Sequence, residues 1–162
     1  MPMNKDLIAL VAAAGGWIVA LVTLGIGYVE RKAARDDDLL GKTLGYFDGG
    51  SQRRSIGISL LEGIWIRRPS TFPVIVPLIA NQIVYLLHST DSHDAHNERN
   101  LVRLVMLLQT IPNLRDVYHD RWGDVCDALQ RKWDNNDSKK GIPVAKPTLK
   151  LWAKGFGLEL GD

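Results

Sequence analysis

The sequence predicts an all-α protein: a single N-terminal transmembrane helix, then a small four-helix domain, then a short tail patterned like a β-hairpin. Three observations lead there. Residues Leu7 to Val29 carry no charge, while nearly all acidic and basic residues lie after Val29. Beyond the connector, apolar residues recur at helical spacing. Prolines and glycines divide that region into segments of helix length. The implied organisation is an anchor over 1–30, a juxtamembrane connector over 31–50, a helical domain over 51–133, and a linker and tail over 134–162.

The run LIALVAAAGGWIVALVTLGIGYV is long enough as a helix to cover roughly 34 Å, which spans the hydrocarbon core of a bilayer. It exceeds the apolar region of an ordinary signal peptide, and Gly27, Tyr28, Val29, Glu30 and Arg31 at its end make no small-x-small cleavage site, so it reads as an uncleaved anchor. Lys5 and the terminal amine lie on one side, and Arg31, Lys32 and Arg35 on the other. Positive flanks favour the cytoplasm, which places the N-terminus outside and the following domain inside. Ala12, Gly16 and Ala20 recur every four residues. Small residues at that spacing allow close helix contact in lipid, so a homo-oligomer built through this helix is an expectation.

After the anchor, GYFDGG (Gly45 to Gly50) reads as a turn, and Ser51 to Arg67 as a helix. Ile56, Leu60, Ile64 and Trp65 fall on its apolar face, joined by Leu61 and Ile58 at its margins, Ser51 is the expected N-cap, and Arg68-Pro69 the stop. A second helix opens near Pro73, with Pro77 in its first turn or at its true start, and is almost continuously apolar, as a buried helix would be. The polar loop DSHDAHNE leads to a third helix over Asn100 to Thr110. Leu114, Val117, Tyr118, Val125, Leu129 and Trp133 mark the last, with Gly123 as a candidate break. In the tail, PTLKLWAKGFGLEL alternates apolar and polar residues, which permits a short hairpin. Six large apolar side chains there (Leu149, Leu151, Trp152, Phe156, Leu158, Leu160) should dock, on the domain itself or on a partner.

The four helices form two pairs whose starts, near Ser51 and Asn97, lie about 46 residues apart, and a proline opens the second helix of each pair. Through SIGISLLEGIW and LVRLVMLLQTIP the chain resembles the HEAT and armadillo class of helical repeats over roughly half its length. A compact four-helix bundle is the competing architecture. The resemblance implies a protein-binding scaffold.

The functional signals are sparse. A net charge of +2 with interspersed signs argues against nucleic acid as a partner. The string GKT at Gly41 to Thr43 lacks the upstream glycine of a phosphate loop, because that position is Asp36. Gly49, Gly50 and Ser51 followed by Arg53 and Arg54 place backbone amides and guanidinium groups where an anion or lipid headgroup can be held. His88, Asp91, His93 and His96 are candidate metal ligands, although a polar interhelical loop explains them as well. Cys126, beside Asp124 and Asp127, is a poor nucleophile because an electronegative setting raises a thiol pKa. No catalytic constellation and no cofactor follow from these residues. The leading expectation is a non-enzymatic, membrane-anchored cytoplasmic module that binds another protein. The alternative is a small membrane effector or toxin-like protein acting through self-association of its transmembrane helix.

Overall fold

The computed structural model describes the backbone of residues 5–89, 94–135 and 140–161, and the side chains of those from Thr23 onward. Among the described residues there are seven α-helices and no strand. The chain divides into two compact units, Met1–Lys42 and Thr43–Asp162.

The first helix, α1, runs from Lys5 to Gly45. It continues through the residues expected to form a polar connector, which is reasonable for RKAARDDDLLGK, rich in helix-forming Ala, Arg, Lys and Leu. In the first unit Leu24, Ile26, Tyr28 and Val29 are exposed. The side chains of Ala12, Gly16 and Ala20 lie outside the described residues.

The second unit is built around α3 (Phe72–His88). Ile75, Val76, Ile79, Ala80, Ile83, Leu86 and Leu87 are buried along one side of it. This side packs against α4 (Ala95–Gln109) and α6 (His119–Asp134). Over Pro69–His88 the mean hydropathy is 1.6 and the length 20 residues, enough by length and composition to cross a membrane. The burial of its inner side identifies it equally as the core helix of a packed domain. Pro77 neither opens α3 nor lies in its first turn. It sits one turn further in, where the missing N–H removes one ladder bond without stopping the helix.

The helix α2 (Ser51–Gly63) lies across α4. Its buried residues are Arg54, Gly57, Ile58 and Leu61, followed by Trp65, while Ile56 is exposed. The inward face is therefore rotated from the expected one, because an arginine and a glycine occupy it. Ser51 is the first helical residue rather than the cap; Gly50 holds the cap position and no side chain caps the end. Two 3-10 turns, Trp65–Arg67 and Pro69–Thr71, link α2 to α3. Thr71 Oγ1 donates to Arg68 O (2.8 Å) at this corner. The end of α1 joins the same core, where Trp65 Nε1 donates to the buried Thr43 Oγ1 (3.1 Å) and Phe47 is buried.

Asp94 caps α4 by accepting from Asn97 N (2.7 Å), so the helix starts a turn before Asn100. After α4, Asn113 adopts a left-handed conformation (φ 53°) and opens the single-turn helix α5 (Leu114–Val117). The break before α6 falls at Tyr118 rather than at Gly123, which lies inside α6.

The tail is helical, not a hairpin. Pro147 stands in the first turn of α7 (Lys146–Gly155), and Leu149, Trp152, Ala153 and Phe156 are buried at i, i+3, i+4 and i+7. That helical face was hidden by the exposed Leu151, which completes an accidental alternation. The tail docks on the domain itself through these residues and Ile142. With α5 and α7 counted, six helices follow α1 among the described residues, so the four-helix count is corrected. The principal contacts join α3 to α4 and α6, and α2 to α4.

Candidate functional site

The glycine turn and the first turn of α2 were expected to present backbone amides and two arginines to an anion. The two arginines go to different places. Arg53 is exposed, with its side chain lying along Gly49. Arg54 is buried, and its Nη1 donates to Asn97 Oδ1 on α4 (2.7 Å). Its guanidinium carbon stands 5.6 Å from the Tyr85 ring centroid on α3. Asn100 Nδ2 donates to Ser51 O (2.9 Å), so the start of α2 is fastened to α4 at two points. Arg54 Nε and Asn100 Oδ1 remain buried without a hydrogen-bond partner among the described residues. Such an arrangement ties three helices together with one cation and leaves spare polar capacity in the interior.

Truncating Arg54 should therefore cost more than truncating its neighbour. Arg54→Ala removes a charge-assisted hydrogen bond and a packed stem and is expected to destabilise by about 2–3 kcal/mol. Arg53→Ala should stay within about 0.5 kcal/mol. Urea unfolding of the two variants in detergent measures both; equal losses would contradict the burial of Arg54.

Tyr85 also borders a groove of about 350 Å³ between α3 and α6, lined by Asn81, His88, Ser89, Asp124 and Arg131 among others. His88 Nε2 lies 2.8 Å from Ala128 O. A carbonyl only accepts, so this nitrogen carries the proton and donates. Arg131 Nη2 is 3.9 Å from Asp127, and Asp124 accepts from Arg121 (3.0 Å), so the charged groups at the rim are partnered. The groove offers donors and acceptors to a polar ligand.

Of the four candidate metal ligands, two fall within the described residues. His88 has one nitrogen committed to Ala128, His96 is exposed on α4, and Asp91 and His93 lie outside the described residues. Among the described residues no three His, Cys, Asp or Glu side chains converge. Cys126 is buried, and its thiol is pushed up to about 11, first by burial and then by Asp127, with Arg115 acting in the opposite direction. The electronegative neighbour read from the sequence is thus the smaller cause.

Two features escaped sequence reasoning. Arg103 on α4 grips Glu62 on α2 with both ends of its fork, Nε to Oε1 (3.0 Å) and Nη2 to Oε2 (2.6 Å), and reaches Ser55 and Ser59 as well. Only the tertiary contact of α2 with α4 brings these residues together. Lys132 is buried at the end of α6, and its Nζ donates to Lys140 O (3.2 Å). Nothing in the surrounding charge pattern marks it as an interior lysine. Comparison with protein-family models, with curated proteins and with solved structures finds no match.

Proposed function

We propose that the chain is a membrane-anchored helical module whose domain, on the cytoplasmic side, binds another protein. The observation that carries the anchor is the uncharged run Leu7 to Val29, which lies within the long helix α1 and ends in the basic flank Arg31, Lys32 and Arg35. The exposed Leu24, Ile26, Tyr28 and Val29 at its end suit lipid and the headgroup region. For the binding role, Val102 and Met106 stand four residues apart on the outer face of α4, 41% and 59% exposed.

Anchoring and orientation are tested together. The full chain should float with membranes and resist alkaline extraction. The native thiol of Cys126 is buried, so Asn135→Cys supplies an exposed probe with little background. A membrane-impermeant maleimide should label Asn135→Cys only after permeabilisation. Labelling in intact cells would reverse the orientation, and release by alkali would remove the anchor. The effector reading predicts instead that residues 1–30 alone damage membranes when expressed, and that Gly16→Ile relieves the damage.

A further inference from the structure

We propose that the outer face of α7, with the C-terminal segment beside it, is a second membrane contact that docks on an anionic lipid surface; this rests on the anchored reading above. From Lys140 to Leu158 the chain carries four lysines and no acidic residue. Three of them, Lys146, Lys150 and Lys154, stand four apart on α7 and are exposed, so they form one basic stripe. Leu151 lies within that stretch and is 68% exposed, the most open leucine of the second unit. The half-buried Trp133 of α6 sits below the stripe, with Lys146 Nζ 4.8 Å and Lys150 Nζ 5.3 Å from its ring centroid. Lys150 and Lys154 also edge a groove of about 460 Å³ whose remaining lining is Gly157, Leu158, Glu159 and Leu160. Glu159 is the one acidic group there.

Lysine, tryptophan and an isolated exposed leucine together form the side-chain set of an interfacial helix. The ammonium groups meet phosphate, the indole suits the headgroup layer, and the leucine enters the acyl boundary. An acidic protein surface would satisfy the lysines but gives no reason for a leucine 68% exposed in the same helix, or for Leu158 and Leu160 in the lining of the groove that Lys150 and Lys154 edge. A tether to the same bilayer raises the local concentration of lipid, so a weak basic contact suffices.

The full chain carrying Leu151→Cys, labelled with a polarity-sensitive fluorophore, is reconstituted into phosphatidylcholine vesicles and into vesicles in which part of that lipid is replaced by phosphatidylglycerol. The label should shift to the blue and be quenched by brominated acyl chains only on the anionic vesicles, and high salt should reverse both effects. Lys146→Gln, Lys150→Gln and Lys154→Gln together should weaken docking about a hundredfold. A chain that resists alkaline extraction while its label stays unquenched on both vesicles overturns the contact and leaves the anchor standing. Equal quenching on both, or protection of the label by soluble polyglutamate on neutral vesicles, overturns anionic lipid as the occupant. A chain extracted by alkali that still floats with anionic vesicles alone, and loses this with the triple variant, supports the contact and removes the anchor.

Discussion

Gly141→Ala should unseat the tail and lower the melting temperature of the domain by roughly 10–20 °C, corresponding to about 3–5 kcal/mol. Gly141 is buried with φ 73°, a conformation that costs an L side chain about 1–2 kcal/mol. Sterics add more. A Cβ at this position would fall on the carbonyl group of Leu87 and lie 2.7 Å from His88 N, and these are backbone atoms that cannot rotate aside. The close approach exists because Ile142 N donates to Leu86 O (2.8 Å), a carbonyl left over at the C-terminal end of α3. Once this seat is lost, Ile142, Val144, Leu149, Trp152 and Phe156 lose the point from which the chain folds back onto the core.

Gly157→Ala provides the control, since Gly157 has nearly the same φ (71°) and nothing within 4 Å of its added Cβ. It should cost only the conformational part, about 1–2 kcal/mol. Circular-dichroism melts of both variants in detergent, set beside a chain truncated after Lys140, read the difference. A Gly141→Ala loss no larger than that of Gly157→Ala would show that the backbone does not approach α3 as described.

These glycines also show how far the sequence could be read. Helical class, the turn within Gly45 to Gly50 and the buried character of α3 follow from local pattern, because a long apolar segment such as VIVPLIANQIVYLL has to be covered by something. In the tail, Leu149, Leu151 and Trp152 support two periods at once, and only the surface on which they dock decides between them. Trp152 O accepts from Gln109 on α4 (3.1 Å), and Trp122 Nε1 donates to Phe156 O (3.0 Å), so tertiary contacts satisfy the carbonyls around the end of a short helix that would be marginal alone. In α2 the error had a different origin. Hydrophobicity assigned Ile56 inward and Arg54 outward, whereas Asn97 and Tyr85, far away in sequence, supply the hydrogen bond and aromatic face that admit an arginine. The candidate site was legible as a set of residue types near the start of α2, but its division into a solvated Arg53 and an interior Arg54 depends on α4.

Lys132→Met should stabilise the domain by about 1–2 kcal/mol at neutral pH, an unusual sign for the replacement of a buried residue. Lys132 is 1% exposed, and its only partner among the described residues is the carbonyl of Lys140. One neutral acceptor returns little of the hydration lost by an ammonium, and burial accordingly holds the amine below its ordinary 10.5. Methionine keeps most of the stem volume without the charge. Lys132→Ala removes both, and the cavity it leaves should make it less stable than Lys132→Met by about 2 kcal/mol. The pH dependence fixes the cause. Because the folded pKa is depressed, the unfolded chain binds more protons between that value and 10.5, so the contribution of Lys132 to stability rises with pH across this window. Cys126 acts the other way: with its folded pKa near 11 against 9.0, the native state holds a proton the unfolded chain has lost, and stability falls over that interval. Since Cys126 is common to both proteins, subtracting the wild-type curve from that of Lys132→Met isolates the lysine. The advantage of the variant should be greatest below the depressed pKa of Lys132 and shrink steadily as the pH rises from there towards 10.5. A constant difference across that range would mean that methionine improves packing and that the charge of Lys132 costs the fold nothing.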